Sequence, residues 1–320
     1  MLSSEFPGLP FLSLPGYKIR YTKTARGLIW KMIQQAPRLQ RIVKDENRWL
    51  KKAVDEYKFD AVISDNRYGL YHAHIPCIFI THQLLIKNSL AKWIERILQK
   101  INYSFINRFT ECWVPDAEGE NNLAGKLSHP GKKPAVPVRY TGLLSRLEKK
   151  EITEIKNHLL VILSGPEPQR TILEEKIIED ISHYNGTATI VRGLPGSPVL
   201  IPSTNMIKFY NHLPATDLND EMEKAEYIIS RSGYSTIMDI AALQKQSILI
   251  PTAGQTEQEY LAAYLSEKNL ALCFTQKDFS LTTALSKAEQ YAYKKFPDND
   301  SLKLKIVITN FIAALVLKRR

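Results

Sequence analysis

The sequence predicts an α/β protein with two Rossmann-like domains, each built on a parallel sheet. Short apolar, β-branched runs recur along the chain, and polar turns separate them from stretches in which apolar residues have helical spacing. The chain has 320 residues, which is enough for two domains of about 150 residues each. Its hydrophobic content of 44% can supply two cores.

The stretch from Tyr227 to Ala263 shows this pattern most clearly. Residues Tyr227–Ile229 have the composition of a buried strand, and the apolar residues of Thr236–Leu243 have helical spacing. A second buried strand is expected at Ser247–Ile250, and another helix begins near Thr256. Ligands bind at the carboxyl ends of strands in such sheets. The polar residues at these two strand ends are therefore candidate ligand contacts.

The chemistry of this edge suits a nucleotide sugar. Backbone amides at two helix N-termini can hold a diphosphate. The small side chains of Ser232 and Ser235 let the backbone come close to a ligand, and the Asp239 carboxylate can accept hydrogen bonds from ribose hydroxyls. Gln258 and Glu259 can contact sugar hydroxyls. The same residues also fit an ordinary α/β crossover in which Ser and Thr cap the helices.

The residues Arg231-Ser232-Gly233, Thr236 and Asp239, followed by Ile250-Pro251 and Gln258-Glu259, resemble the C-terminal half of the GT-B glycosyltransferases. The resemblance is to the group that contains the peptidoglycan N-acetylglucosaminyltransferase and the family 28-like bacterial transferases. That group has an Arg-Ser-Gly-Ala-x-Thr-x-x-Glu segment, then Ile-Pro-x-Pro, then Gln-Gln. In this chain Asp239 replaces the Glu, and Glu259 stands at the second Gln, which leaves the identity of the sugar open.

The resemblance implies a metal-independent hexosyltransferase with a UDP-sugar donor, for which UDP-N-acetylglucosamine is a candidate, and it implies no cofactor. The implied acceptor is a glycan or a lipid-linked molecule of the cell envelope. Residues in matching positions are expected to bind the donor; they are Arg146, Gly165, His212, Leu213, Arg231, Ser232, Gly233, Ser235, Thr236, Asp239, Gln255, Thr256, Gln258 and Glu259.

The resemblance also predicts the division of the chain. Residues 1–147 form a basic, acceptor-side domain, residues 148–300 a nucleotide-sugar-binding domain, and residues 301–320 a helix that returns to the first domain. Members of this group open with a strand and a glycine loop that have no match here, so the first domain is expected to be incomplete at its N-terminus by about 35 residues. Helices are also expected over Gly27–Val54, where Pro37 opens a second piece, and over Leu84–Asn107.

The charge of the chain is concentrated in its first half. The net charge is +10 overall; residues 1–150 hold 25 Lys and Arg against 13 Asp and Glu (+12), and residues 151–320 hold 18 against 20 (−2). This excess predicts an anionic partner, for which a membrane surface, a lipid phosphate and nucleic acid are the candidates; the alternative is a solvated basic face. Nucleic acid is disfavoured, because no aromatic-basic motif accompanies the charge.

Cysteine usage and the absence of a signal-peptide pattern predict a cytoplasmic protein that can lie on the inner face of the plasma membrane. The cysteines Cys77, Cys112 and Cys273 are far apart and odd in number, which indicates a reducing compartment. The apolar run Ile306–Leu317 is too short for a bilayer, which needs roughly 20 residues.

His82 and Asp65 are the candidate catalytic residues. Both follow predicted strands of the first domain, and Thr81-His82-Gln83 stands where the resembling group has His-Glu-Gln. A histidine can take the proton of an acceptor hydroxyl near neutral pH. The alternative is a structural histidine. The His and Cys residues show no recognisable metal-ligand spacing, so no metal site is predicted.

Two other functions fit the same residues. One is a nucleotide-sugar-binding subunit without activity of its own, which needs a partner chain to supply the acceptor domain. The other is a UDP-sugar epimerase on the same fold.

Overall fold

The computed structural model describes residues 6, 8–14, 28–87, 92–298 and 301–319, and the side chains of residues 28–36, 92, 301 and 318–319 are not described. The described chain forms two compact units. Unit 1 comprises Met1–Thr81, Lys100–Trp113 and Pro134–Arg139, and unit 2 comprises His82–Gln99, Val114–Lys133 and Tyr140–Arg320.

The first sheet has four strands in the order β1-β2-β3-β4, and β1 to β3 are parallel. Its strands form because buried apolar runs meet side by side, as in the fully buried Ile78 and Phe79 of β2. The elements are α1 (Leu28–Tyr57), β1 (Val62–Asp65), β2 (Cys77–Ile80), α2 (Lys92–Ile106), β3 (Glu111–Val114) and β4 (Val138–Tyr140).

Two helix predictions for this part of the chain need correction. Helix α1 continues through Pro37, so this proline does not open a second piece. The helix predicted over Leu84–Asn107 covers only Lys92–Ile106, and Leu84–Lys87 are not helical. Leu84 is fully buried, and the Leu85 backbone amide donates to the Leu127 carbonyl. Tertiary packing therefore accounts for the apolar residues that had indicated a helical face.

The loop after β1 is held by α1. The Glu46 carboxylate accepts from Arg67 at 2.6 Å and from the Gly69 amide at 3.1 Å, while the Asn47 amide donates to the Gly69 carbonyl. A Cβ on Gly69 would lie 2.4 Å from the Glu46 Cβ, so only glycine fits there. Asp65 stays exposed at the start of this fixed loop.

Unit 2 contains a six-stranded parallel sheet in the order β10-β9-β8-β5-β6-β7. Helices follow most of its strands, as predicted for a doubly wound sheet. The elements are β5 (His158–Ile162), α3 (Gln169–Ile181), β6 (Thr187–Val191), β7 (Ile207–Tyr210), α4 (Ala215–Lys224), β8 (Tyr227–Ser230), α5 (Tyr234–Ala242), β9 (Gln246–Leu249), α6 (Thr256–Glu267), β10 (Leu272–Cys273), α7 (Leu281–Gln290) and α8 (Ser301–Arg319).

Two hydrophobic clusters cover the faces of this sheet. Along β5 the side chains alternate between them: Leu160 packs with α5 and α6 on one face, while Leu159 and Val161 pack with α3 and α7 on the other. The sheet is therefore buried on both faces. Among the described helices, none is long and apolar enough to cross a membrane.

Candidate functional site

The strand order of unit 2 creates a crevice between the ends of β5 and β8. From β5 the chain moves through β6 and β7 to one edge, and from β8 it moves through β9 and β10 to the other. The loops after β5 and β8, Leu163–Gly165 and Arg231–Gly233, therefore lie at the point where the strand order reverses. Ligands of open α/β sheets bind at such a point.

Two helix N-termini are available at this edge. Gly233 is the N-cap residue of helix α5, and no side chain caps this helix. A Cβ added at Gly233 would meet no atom within 4 Å, so the space beside it is open. Helix α6 begins after Gln255, which makes no side-chain cap, and the preceding Gly254 has φ +81°. Uncapped first-turn amides and the helix dipole favour an anion at both positions.

The loop after β5 comes close to the loop after β9. Gly165 is exposed with φ +102°, and its Cβ position lies 3.4 Å from the Thr252 hydroxyl oxygen. Thr252 is buried, and this oxygen has no hydrogen-bond partner among the described residues. The positive φ angle at residue 165 favours glycine. The Thr252 hydroxyl oxygen lies beside this glycine.

Arg231 has a different position from the one expected for a donor-binding residue. Its side chain is 1% exposed, and the guanidinium donates to the carbonyls of Gln169 at 2.6 Å, Ile250 at 3.2 Å and Pro251 at 3.4 Å. Burial lowers the pKa of Arg231 to about 10, which leaves it charged at neutral pH. These bonds tie the first residue of α3 to the start of the loop after β9. We therefore assign Arg231 a supporting role beneath the crevice in place of donor contact.

Oxygen atoms of three other predicted donor residues form hydrogen bonds that hold these loops; the residues are Ser232, Gln258 and Glu259. Ser232 is fully buried and its hydroxyl donates to the Gln258 carbonyl at 2.8 Å. The Gln258 side-chain oxygen accepts from the Thr252 amide at 2.8 Å, and Glu259 accepts from the Gly254 amide at 2.9 Å. Among the described residues, the side-chain NH2 of Gln258 and the second carboxylate oxygen of Glu259 make no hydrogen bond.

Asp239 is brought next to the segment that contains Arg146. The Ser145 hydroxyl donates to Asp239 Oδ1 at 2.6 Å. Burial raises the pKa of Asp239, and the Ser145 bond and the Arg146 charge oppose that rise. Arg146 is exposed. Two residues that were predicted separately to bind the donor therefore lie near each other, and Ser145, which was not predicted, joins them.

The other predicted donor residues lie on the same sheet edge. Leu213 follows β7 and is buried in the core, so its backbone is the part that can contact a base, and His212 beside it is half-buried. Ser235 is exposed and Thr236 half-buried in the first turn of α5. The Thr256 hydroxyl donates to the Lys87 carbonyl at 3.1 Å.

His82 lies at the N-termini of both helices. Its Nε2 is 2.7 Å from Glu257 Oε1 at the second position of α6, and its ring stacks on Tyr234, the first residue of α5, with a centroid distance of 4.3 Å. The Tyr234 hydroxyl donates to the Pro115 carbonyl at 2.8 Å. The candidate base is therefore held beside the two predicted diphosphate-binding positions. Asp65 belongs to unit 1 and stays a prediction.

The sequence did not indicate Ser145 and Tyr234 as site residues, and it indicated Glu257 only as one of the polar residues at the strand ends, without a role. Tyr234 carried a signal, since it stands where the resembling segment has Ala. Glu257 is 175 residues from His82, so no local pattern could reveal their pairing. Within the described ranges, no group of three or more His, Cys, Asp or Glu side chains is arranged to hold a metal ion.

Comparison with known proteins assigns the fold. The calicheamicin glycosyltransferase CalG4 superimposes with a TM-score of 0.58 at 10% identity, covering 92% of this chain and 85% of that chain. UDP-GlcNAc 2-epimerase from Neisseria meningitidis, bound to UDP-GlcNAc, superimposes with a TM-score of 0.55 at 12% identity, covering 86% and 82%. The protein has the GT-B fold with two parallel sheets, as predicted.

Sequence comparison adds a family resemblance. Residues 203–308 match the model of the glycosyltransferase family 28 C-terminal domain. The chain is similar to the UDP-N-acetylglucosamine–N-acetylmuramyl-(pentapeptide) pyrophosphoryl-undecaprenol N-acetylglucosamine transferase of Haemophilus ducreyi, at 26% identity over 245 residues. The match covers 73% of this chain and 64% of that relative, so the chain spans less than two thirds of its length. The predicted resemblance to family 28-like transferases is confirmed.

Proposed function

We propose that this protein is a metal-independent glycosyltransferase that moves a sugar from a UDP-sugar to an acceptor hydroxyl. The observation that carries the proposal is the position of His82 at the N-termini of α5 and α6. A base and two anion-binding helix ends are the groups that this transfer requires, because one partner loses a proton and the other leaves as a diphosphate.

The donor lies in the crevice between β5 and β8 in this proposal. The diphosphate contacts the first-turn amides of α5 at Gly233 and Ser235 and those of α6 near Thr256. Asp239 accepts from ribose through the oxygen that Ser145 does not occupy. The backbone at His212 and Leu213 borders the base. Gln258 and Glu259 contact the sugar, and UDP-N-acetylglucosamine is the donor that we favour.

The transfer proceeds by attack of the acceptor oxygen on the anomeric carbon. The new bond forms between these two atoms while the bond from the anomeric carbon to the diphosphate oxygen breaks, and UDP leaves with that electron pair. His82 takes the acceptor proton. The helix N-termini stabilise the charge that develops on the leaving diphosphate. Asp65 is a second candidate for contact with the acceptor.

In this proposal, the exposed stripe of α2 faces an anionic membrane surface, and the acceptor binds on the same side of the protein. On α2, Trp93, Ile97 and Ile101 are exposed on one stripe, and the exposed Arg96 and Lys100 flank it. Apolar side chains inserted at the headgroup level and basic residues beside them are the groups that bind anionic lipid. A lipid-linked acceptor would be reached from this surface. We place the protein on the inner face of the plasma membrane.

Thermal unfolding with UDP tests the donor site. At a UDP concentration near 100 times its Kd, binding to the folded state adds about 2.7 kcal/mol to the free energy of unfolding and raises Tm by roughly 5 °C. Asp239→Ala should remove most of this rise. Asp217→Ala, at an exposed carboxylate on α4, is the control and should keep it.

Product analysis then tests the reaction. The 320-residue chain is incubated with UDP-N-acetylglucosamine and the lipid-linked acceptor named for the relative, and transferred sugar is measured.

The absence of a Tm rise with any nucleoside diphosphate at millimolar concentration would refute the donor site. Donor conversion to an epimer without acceptor would favour the epimerase alternative, and UDP binding without turnover the subunit alternative.

A further inference from the structure

The imidazole of His82 is fixed at one nitrogen and on one face. Glu257 Oε1 lies 2.7 Å from Nε2, and the Tyr234 ring lies parallel to the imidazole, with an interplanar angle of 17°. Tyr234 is itself buried and anchored through its hydroxyl on the Pro115 carbonyl. The rotation of the His82 ring is therefore restricted by two side chains from two different helices.

The surrounding backbone also holds this arrangement. The Leu85 amide donates to the Leu127 carbonyl at 2.9 Å, and the Thr256 hydroxyl donates to the Lys87 carbonyl at 3.1 Å. The segment from His82 to Lys87 is thus tied to the start of α6 on one side and to the loop at Leu127 on the other. The His82–Glu257 contact is part of a fixed local structure.

The chemistry of this contact selects one imidazole tautomer. An ionised carboxylate only accepts hydrogen bonds. The neutral imidazole therefore carries its proton on Nε2, where it donates to Glu257, and its lone pair is on Nδ1. Among the described residues, Nδ1 has no hydrogen-bond partner, so it is the ring nitrogen available to a substrate.

We propose that Glu257 is a positioning residue that holds His82 with Nε2–H on the carboxylate and presents Nδ1 to the acceptor hydroxyl. This inference rests on the proposed transferase function. The acceptor proton moves to Nδ1 as the acceptor oxygen bonds to the anomeric carbon, and the imidazolium that forms is stabilised by the Glu257 carboxylate. Glu257 touches no reacting atom and acts only through His82.

A double-mutant cycle tests this dependence. Glu257→Gln removes the carboxylate charge and can present either its oxygen or its NH2 to Nε2, so it no longer enforces the tautomer with the proton on Nε2. We expect kcat to fall about 10- to 100-fold while KM for UDP-N-acetylglucosamine changes less than about twofold. Glu257→Asp, which keeps the carboxylate, should recover part of kcat. In the His82→Gln background, Glu257→Gln should cause no further loss.

The controls separate this role from folding and from donor binding. Glu267→Gln, at an exposed position near the end of α6, should keep the wild-type kcat. The Tm rise with UDP should be the same in all of these variants. An equal loss of kcat in the wild-type and His82→Gln backgrounds would overturn the proposal, because Glu257 would then act independently of His82.

The imidazole nitrogens report the pairing without any activity. In the chain labelled with 15N-histidine at pH 8, the His82 signals, assigned by their loss in His82→Gln, should show a protonated Nε2 and an unprotonated Nδ1. Glu257→Gln should populate the opposite tautomer, with a protonated Nδ1, to a larger extent than the wild type. A proton on Nδ1 in the wild type would overturn the pairing. A wild-type chain that shows this tautomer but turns over no UDP-sugar would refute the proposed function, and with it the catalytic use of the pairing.

Discussion

The Ser145 hydroxyl and the Asp239 carboxylate form a 2.6 Å hydrogen bond in a buried environment. The bond engages Oδ1, which leaves Oδ2 as the oxygen that can accept from a ribose hydroxyl. Burial raises the pKa of Asp239 because the charged form loses hydration, and the Ser145 bond and the charge of Arg146 only partly compensate. Asp239 therefore weakens the folded state at neutral pH while it supplies a strong acceptor to the proposed donor.

Asp239→Asn should stabilise the ligand-free protein at pH 7. A carboxyl group with a raised pKa binds its proton more tightly in the folded state than in the unfolded chain, where its pKa is 3.8. It therefore stabilises the folded state below pH 3.8, and this stabilisation is lost as the pH rises through the pKa of the folded state. The asparagine does not titrate, so Tm of the variant should exceed that of the wild type by a few degrees at pH 7. The difference should shrink as pH falls towards 4. Melting curves between pH 4 and 7 measure it, Asp217→Asn is the control, and a variant less stable than wild type at pH 7 would contradict the prediction.

Arg231→Lys should destabilise unit 2 without removing the donor site. Lysine cannot reproduce the planar set of donors that reaches the Gln169, Ile250 and Pro251 carbonyls, and buried acceptors without partners cost free energy. We expect a loss of about 2–4 kcal/mol in the free energy of unfolding by urea. Arg139→Lys, at a half-exposed ion pair with Glu111, should cost less than about 1 kcal/mol.

The response of Arg231→Lys to UDP distinguishes support from contact. If Arg231 only supports the loops, the weakened variant should still gain stability with UDP. Wild-type stability together with a lost UDP response would show that the guanidinium is a donor ligand after all.

Ile97→Asp should weaken binding to anionic vesicles. Burial of an isoleucine side chain contributes about 1.5–3 kcal/mol, so its loss should reduce partitioning into phosphatidylglycerol vesicles by roughly 10-fold or more. Binding of the wild type should fall as salt rises and be small on phosphatidylcholine vesicles. Leu200→Asp, at an exposed apolar residue of the loop after β6, is the matched control. Vesicle cosedimentation measures all of these, and equal binding of the wild type to both vesicle types would refute the membrane surface.

The sequence was sufficient for the sheets and less so for the site. Buried strands such as β5 and β8 consist of continuous apolar runs, and their parallel arrangement followed from the alternation of strands and helices. Leu84 misled the helix prediction because a fully buried residue outside a helix has the same apolar character as one inside it. Arg231 was expected to contact the donor because it matches the Arg-Ser-Gly segment of the resembling group, but the structure buries its side chain against three backbone acceptors.

The pairing of His82 with Glu257 shows why the remaining contacts of the site could not be predicted from the sequence. Two side chains 175 residues apart meet only after the sheet has formed, and no local periodicity encodes that distance. The substitution at Tyr234 was visible as a departure from the resembling segment, but its effect depends on a ring that arrives from elsewhere in the chain.

Residues 114–133 contact α6, and this contact joins parts of the chain that are synthesised at different times. The Lys126 amide donates to the Tyr260 hydroxyl, and the two residues are 134 positions apart. At the usual translation rates of about 5–20 residues per second, the ribosome takes roughly 7–27 s to add the residues between them. Throughout that interval the nascent segment lacks its contact with α6, and the buried Leu123 and Leu127 lack the part of their core that Leu261 and Leu265 supply.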